Sequence, residues 1–171
     1  LFKQMEKSQE KIAILTDLAQ KDSLTGLINY RTFQEMYRSM EKDKTWLFVL
    51  DLDDFKDIND SFGHMAGNDV LQKMADILTS AVRSQDIVCR MGGDEFVLLC
   101  SNLHNDNAAE ELMKRLLKSV NQRGETEKVW TGMSIGGTLV RDGEILEDAF
   151  RRADSALYAA KTDGKNRYRI V

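Results

Sequence analysis

There is no proline anywhere in the sequence. Segment boundaries get no punctuation from it, so breaks are read from glycine and from changes in hydrophobic period. Cysteine is scarce: Cys89 and Cys100 stand alone, each inside an apolar run. Two such thiols make neither a disulfide framework nor a zinc site, and they read as buried and reduced. No apolar run approaches the ~20 residues that a membrane helix needs, and no signal peptide is visible. An excess of positive charge is missing too. The formal net charge is -4, which leaves no electrostatic footprint for a nucleic-acid polymer. A polyanion would have to be held at a local site, with a metal. What is present is ordinary for a globular chain: 42% hydrophobic and 30% charged residues in a length of 171, enough for one domain with an appended element. The chain begins at Leu1 without an initiator Met. It reads as excised from a longer protein, and whatever precedes it, including any membrane segment, lies outside this sequence.

Residues 1–20 read as a helix with a narrow apolar stripe. Leu1, Met5, Ile12, Leu15 and Ala19 fall on alternating four- and three-residue steps, with Ser8 in the remaining place. That spacing is a coiled-coil seam of nearly three heptads, suited either to dimerisation and signalling or to packing on the same domain. The segment Asp22–Leu27 breaks the helix at Gly26. A second helix is predicted from Thr32 to about Met40. Trp46–Leu50 is a short continuous apolar run, the pattern of a central strand buried on both faces. A helix follows Gly67, with Val70, Leu71, Met74, Ala75 and Leu78 on one side. Two strand-like runs, Ile87–Met91 and Phe96–Cys100, are separated only by Gly92-Gly93-Asp94-Glu95, which is hairpin chemistry. A helix over residues 108–120, a polar and mobile-looking stretch over 125–128, a strand through Ser134–Val140, a helix over about Leu146–Lys161 and a strand over 167–171 complete the chain. The domain division is thus a helix over 1–20 and a main domain over 21–171. The expected fold class is α+β, a mixed and largely antiparallel sheet flanked by helices.

The chemistry gathers where hydrophobic runs end in acid. Asp51 follows the buried strand, so its carboxylate sits at a rigid strand end. With strand geometry continued, Leu52 points away and Asp53 returns to the face of Asp51. Asp94 and Glu95 lie in a turn opened by two glycines, which let backbone approach a ligand closely. If the hairpin lies beside the first strand, Asp51 and Asp94 converge as hard oxygen ligands for magnesium, with manganese as the alternative. Such a site serves in-line phosphoryl transfer. Taken singly, each acid reads as well as a solvated cap or a turn residue.

The order of motifs adds what spacing alone lacks. Gly92-Gly93-Asp94-Glu95-Phe96 spells the GGDEF signature, and the chain resembles the GGDEF family of diguanylate cyclases from residue 22 to about 166. Asp22–Asn29 resembles the family's DxLTGLxN opening, and Asp51–Asp60 its DxDxFKxIND segment. Gly63-His64, Gly67, Ser134-Ile135-Gly136 and Ala153–Lys161 follow in register. The resemblance implies a fold like nucleotidyl cyclases and polymerase palms. It implies condensation of two GTP into cyclic di-GMP by a homodimer, each protomer holding one GTP. It implies metal ligation by Asp51, the Leu52 carbonyl and Asp94, with Asp94 also a candidate base, Glu95 beside it and Lys56 stabilising transition-state charge. Asn59, His64, Asn68, Phe55, Gly92 and Gly93 are implied at the nucleotide, and Lys161 and Lys165 at the terminal phosphates.

Two positions depart from the pattern. Lys165 stands where arginine is frequent, which keeps charge but loses the bidentate fork. Asn68 stands where the family usually has Asp. An amide offers one acceptor and one donor, so it matches guanine less well than a carboxylate and could pair with adenine. That opens a mixed cyclic GMP–AMP product as an alternative. Arg83-Ser84-Gln85-Asp86 lies five residues before the hairpin, in the register of the family's inhibitory product site. Further alternatives are a silent cyclic di-GMP receptor acting through Arg83 and Asp86 and, on Asp53-Asp54 alone, a phospho-acceptor receiver domain.

Overall fold

The computed structural model describes residues 1–171. In chain order the elements are helix α1 (Phe2–Gln20), strand β1 (Ile28–Asn29), α2 (Tyr30–Ser39), β2 (Trp46–Leu52), α3 (Phe55–Phe62), α4 (His64–Ala81), β3 (Ile87–Gly92), β4 (Glu95–Cys100), α5 (Asp106–Gly124), β5 (Met133–Leu139), α6 (Leu146–Thr162) and β6 (Tyr168–Ile170). The six strands form one sheet in the order β1-β3-β4-β2-β5-β6. The inner pairings β3–β4, β4–β2 and β2–β5 are antiparallel, and the edges β1 and β6 pair in parallel. This is the mixed, largely antiparallel α+β sheet expected from the hairpin.

Strand β2 is buried along its whole length because both of its faces are covered. Phe48, Leu50 and Leu52 pack with Met74 and Leu78 of α4 and Leu112 and Leu116 of α5. Leu47 and Val49 pack on the opposite side with Phe33 and Tyr37 of α2 and Ala153 and Leu157 of α6. A continuous apolar run is the expected signature of such a strand. Both cysteines are buried, and burial pushes the Cys89 thiol up to about 12 and raises that of Cys100 as well. Neither is a thiolate nucleophile near neutral pH.

Three local readings need correction. Helix α3 falls where no helix was predicted, and α4 begins at His64, before Gly67 rather than after it. The segment α3 has only two buried residues, Phe55 and Ile58, too few to show a period. The polar stretch 125–128 is anchored rather than loose: Glu127 takes Lys73 at 2.7 Å and Arg123 at 2.9 Å. Helix α1 buries none of its residues, and Leu1, Met5, Ile12 and Leu15 are all more than half exposed.

Candidate active site

Position along β2 decides what the acids face. Leu47 and Val49 point to the α6 side, so Asp51 and Asp53 point there too. Strand β2 lies between β4 and β5, with Asp51 opposite Glu95 on one flank and Ser134 on the other. The Leu52 N–H donates to the Asp94 carbonyl at 3.2 Å, which draws the hairpin turn against the end of β2. Asp51 and Asp94 come together there closely enough that the charge of Asp51 raises the Asp94 carboxyl.

The turn itself needs glycine. Gly92 and Gly93 have φ of 143° and 53°, values that side chains disfavour. Arg90, absent from the sequence-based site, braces this turn. Its guanidinium donates to the Gly93 carbonyl at 2.8 and 3.1 Å and to both oxygens of Asp22 at 3.1 and 3.2 Å. Asp22 in turn accepts from the Thr25 N–H and hydroxyl. The opening motif over 22–27 thus acts on the hairpin through Arg90. Only the fold brings the two together, since 68 residues separate them.

Crowded acids shift one another. Burial, then the neighbouring Asp51 carboxylate, push the Asp94 carboxyl from 3.8 up to about 7. Burial and the charges of Asp51 and Asp154 raise Glu95 as well. Lys161 on α6 forms an ion pair with Asp51 Oδ2. Burial alone would lower this ammonium's pKa, but the Asp51 hydrogen bond and the surrounding carboxylates leave it raised. The other Asp51 oxygen, Oδ1, is buried and has no hydrogen-bond partner.

An unpartnered buried carboxylate oxygen is costly unless something binds it. A hard cation fits here: the donors are carboxylate oxygens of Asp51 and Asp94, with backbone of Leu52 alongside. No cluster of three or more His, Cys, Asp or Glu side chains closes on one point.

Residues 19–167 match the family model described as diguanylate cyclase, GGDEF domain. The chain belongs to the GGDEF family. Among curated GGDEF relatives, diguanylate cyclase DgcS of Shewanella oneidensis is 33% identical over 155 residues, covering 87% of this chain and 52% of DgcS. Diguanylate cyclase DgcM of Escherichia coli is 37% identical over 160 residues, covering 90% of this chain and 38% of DgcM. The chain thus spans about half the length of DgcS and less of DgcM. The coiled coil and GGDEF domain of DgcB from Caulobacter crescentus, solved in complex with c-di-GMP, matches with a TM-score of 0.88 at 26% identity. That match covers 99% of this chain and 95% of the DgcB chain.

The remaining GGDEF positions fall into groups. Asn59 is half-buried on α3, and its amide oxygen lies so close to Gly67 that a side chain there would collide with it. His64 and Asn68 are exposed, one turn apart on α4. These three therefore surround the α3–α4 junction. Phe55 is 9% exposed and sits in the core, and Lys56 is exposed next to it on α3. Lys165 is exposed after α6 and pairs with Asp54 at 2.6 Å. Arg83 and Asp86 are closed on each other: the guanidinium reaches the carboxylate at 3.0 and 3.2 Å, and the Arg83 N–H donates to it at 2.9 Å. Arg115 of α5, which the sequence reading missed, donates to the Ala81 carbonyl at 2.7 Å. It adds a second guanidinium beside this turn.

No helix is long and apolar enough to cross a membrane.

Proposed function

We propose that this domain is a magnesium-dependent diguanylate cyclase that joins two GTP into cyclic di-GMP and releases two pyrophosphates. The observation that carries the reading is the Asp51–Asp94 pair, with a buried, unpartnered oxygen, beneath a two-glycine turn. The 3′-oxygen of each GTP attacks the α-phosphorus of the other, and the bond to pyrophosphate breaks. Asp94 is the candidate to take the 3′-hydroxyl proton, as a carboxylate at the glycine turn where the nucleotide would lie. Magnesium, or manganese in its place, would be held by Asp51, Asp94 and the Leu52 carbonyl and would polarise the phosphate oxygens. Glu95 adds negative charge beside Asp51. Lys56 is placed to neutralise charge developing at phosphorus, and Lys161 and Lys165 to hold the terminal phosphates, each leaving its present acidic partner. Gly92 and Gly93 let the nucleotide lie against backbone, while Asn59, His64 and Asn68 read the base.

One chain holds half of the reaction. Two copies must face each other, and the unpartnered apolar stripe of α1 is suited to bring them together at high effective concentration. A sensor domain upstream would act through that helix. The reading places the domain in the cytoplasm, where GTP is supplied.

The exposed Asn68 side chain has no hydrogen-bond partner within the protein. An amide there offers one donor and one acceptor, so the second reading is a mixed cyclic GMP–AMP product. Purified domain given magnesium with GTP, ATP or both is expected to yield cyclic di-GMP from GTP alone, read by mass spectrometry. A mixed product appearing only when both nucleotides are present would move the assignment to the second reading. No cyclic product under any condition would leave a cyclic di-GMP receptor acting through Arg83 and Asp86.

Product inhibition through the Arg83–Asp86 turn follows the same reading. Arg115 supplies added donors, and bound product must compete with the existing pair. Arg83→Ala is expected to raise the cyclic di-GMP concentration that halves the rate by about tenfold, the loss of one charged hydrogen-bonding group. The initial rate without product is expected to stay within about twofold of wild type. Unchanged inhibition in the variant would remove the turn from the account.

A further inference from the structure

Asp53 is 6% exposed, and every polar group it has is engaged. Its N–H donates to the Gly132 carbonyl at 2.9 Å, and its own carbonyl accepts from the Thr131 hydroxyl. One carboxylate oxygen takes the Ser134 hydroxyl at 2.6 Å, and the other takes the Asn166 N–H at 2.9 Å. Unlike Asp51, it has a protein hydrogen-bond partner on each of its carboxylate oxygens. Its work is directed at the turn after α6.

That turn is an unusual piece of backbone. Gly164, Lys165 and Asn166 have φ of 126°, 65° and 49°, so two residues with side chains occupy the left-handed region in succession. Such a conformation persists only where its surroundings hold it. The Lys165 N–H reaches back to the Ala160 carbonyl at 3.1 Å, and the Asn166 N–H goes to Asp53. Lys165 is fastened on both sides by these two bonds. Its ammonium points back to Asp54, the neighbour of Asp53.

We infer that Asp53 is a positioning residue: its buried carboxylate holds the Gly164–Asn166 turn in left-handed backbone and so places the Lys165 ammonium at the mouth of the site. The inference rests on the reading that Lys165 meets the terminal phosphates of a nucleoside triphosphate. Without the carboxylate the turn relaxes toward ordinary backbone and the ammonium leaves its position. Asparagine is predicted to serve in its place. Its amide oxygen can accept from Asn166, and its amide N–H can donate to the Ser134 oxygen.

The test is a double-mutant cycle on binding of 3′-deoxy-GTP with magnesium, a nucleotide that lacks the attacking hydroxyl and cannot turn over. Asp53→Ala and Lys165→Ala are each expected to weaken binding about tenfold. Combined, they should fall within about twofold of Lys165→Ala alone, and Asp53→Asn within about twofold of wild type. If Asp53→Ala does not fold, Asp53→Ser carries the same cycle, since its shorter side chain withdraws the acceptor from Asn166. Multiplicative losses in the double variant, or no loss in Asp53→Ala, would overturn the inference. Wild-type protein that ignores 3′-deoxy-GTP would overturn the nucleotide reading itself, and this inference with it.

Discussion

Asp94→Asn is expected to abolish cyclic product while making the metal-free protein more stable. Asp94 is pressed against Asp51, and two carboxylates that close cannot both ionise freely. A carboxyl raised in the folded state contributes stability at low pH that is lost as pH rises through its folded value. Metal-free wild type therefore loses this contribution between pH ~4 and about 7. Asparagine removes the titration and keeps the shape. In chelator at pH 8 the variant's Tm should exceed that of wild type by a few degrees, on the scale of ~2–4 °C per kcal/mol for a domain of this size. Magnesium should raise the wild-type Tm and leave the variant's nearly unchanged, because the divalent site has lost a carboxylate. The loss of activity should be at least about a thousandfold, since a metal's charge stabilisation of several kcal/mol goes with it. A variant no more stable than wild type in chelator would show that the two acids do not oppose each other.

The largest loss of stability is expected at Gly136, where β5 packs against α6. A Cβ there would strike the Ala153 carbonyl and the Leu157 backbone of α6, neither of which can swing aside. Overpacking against backbone costs roughly 3 kcal/mol or more. Gly136→Ala should melt about 10 °C lower, or fail to accumulate as folded protein. Gly137→Ala makes an informative contrast, because its Cβ would meet the Phe48 ring, a side chain with some freedom to turn. The consequence reaches the site. Helix α6 carries Lys161 onto Asp51 and ends in the turn that holds Lys165, so its close seat on β5 sets both cations. A Gly136→Ala protein as stable as wild type would contradict that seating.

Different parts of the molecule were legible in the sequence to different degrees, for physical reasons. Strand β2 and the β3–β4 hairpin declare themselves because burial on both faces demands unbroken apolar runs, and acids at their ends stand out. The return of Asp53 to the face of Asp51 follows from strand alternation alone. Helix α3 was missed. It begins after Asp54 in left-handed backbone with no side-chain cap and buries only Phe55 and Ile58. Strand β1 is two residues long and is held by its pairing with β3 and one bridge to Lys21. Arg90 and Arg115 could not be picked out, because Asp22 and the Ala81 carbonyl are brought to them by the fold. For Lys161 and Lys165 the motif resemblance located the cations. Their pairing with Asp51 and Asp54 spans 110 and 111 residues, and no local pattern encodes it.

The central claim is that the Asp51–Asp94 pair under the glycine turn serves nucleotide condensation between two copies of the chain. It is tested most directly by following GTP with magnesium at several protein concentrations, with products weighed by mass spectrometry. The account predicts cyclic di-GMP with two pyrophosphates per molecule formed, a rate that rises faster than protein concentration, and no cyclic product from Asp94→Asn. Cyclic di-GMP made equally well by Asp94→Asn, or GTP left uncondensed at every wild-type concentration, would contradict it.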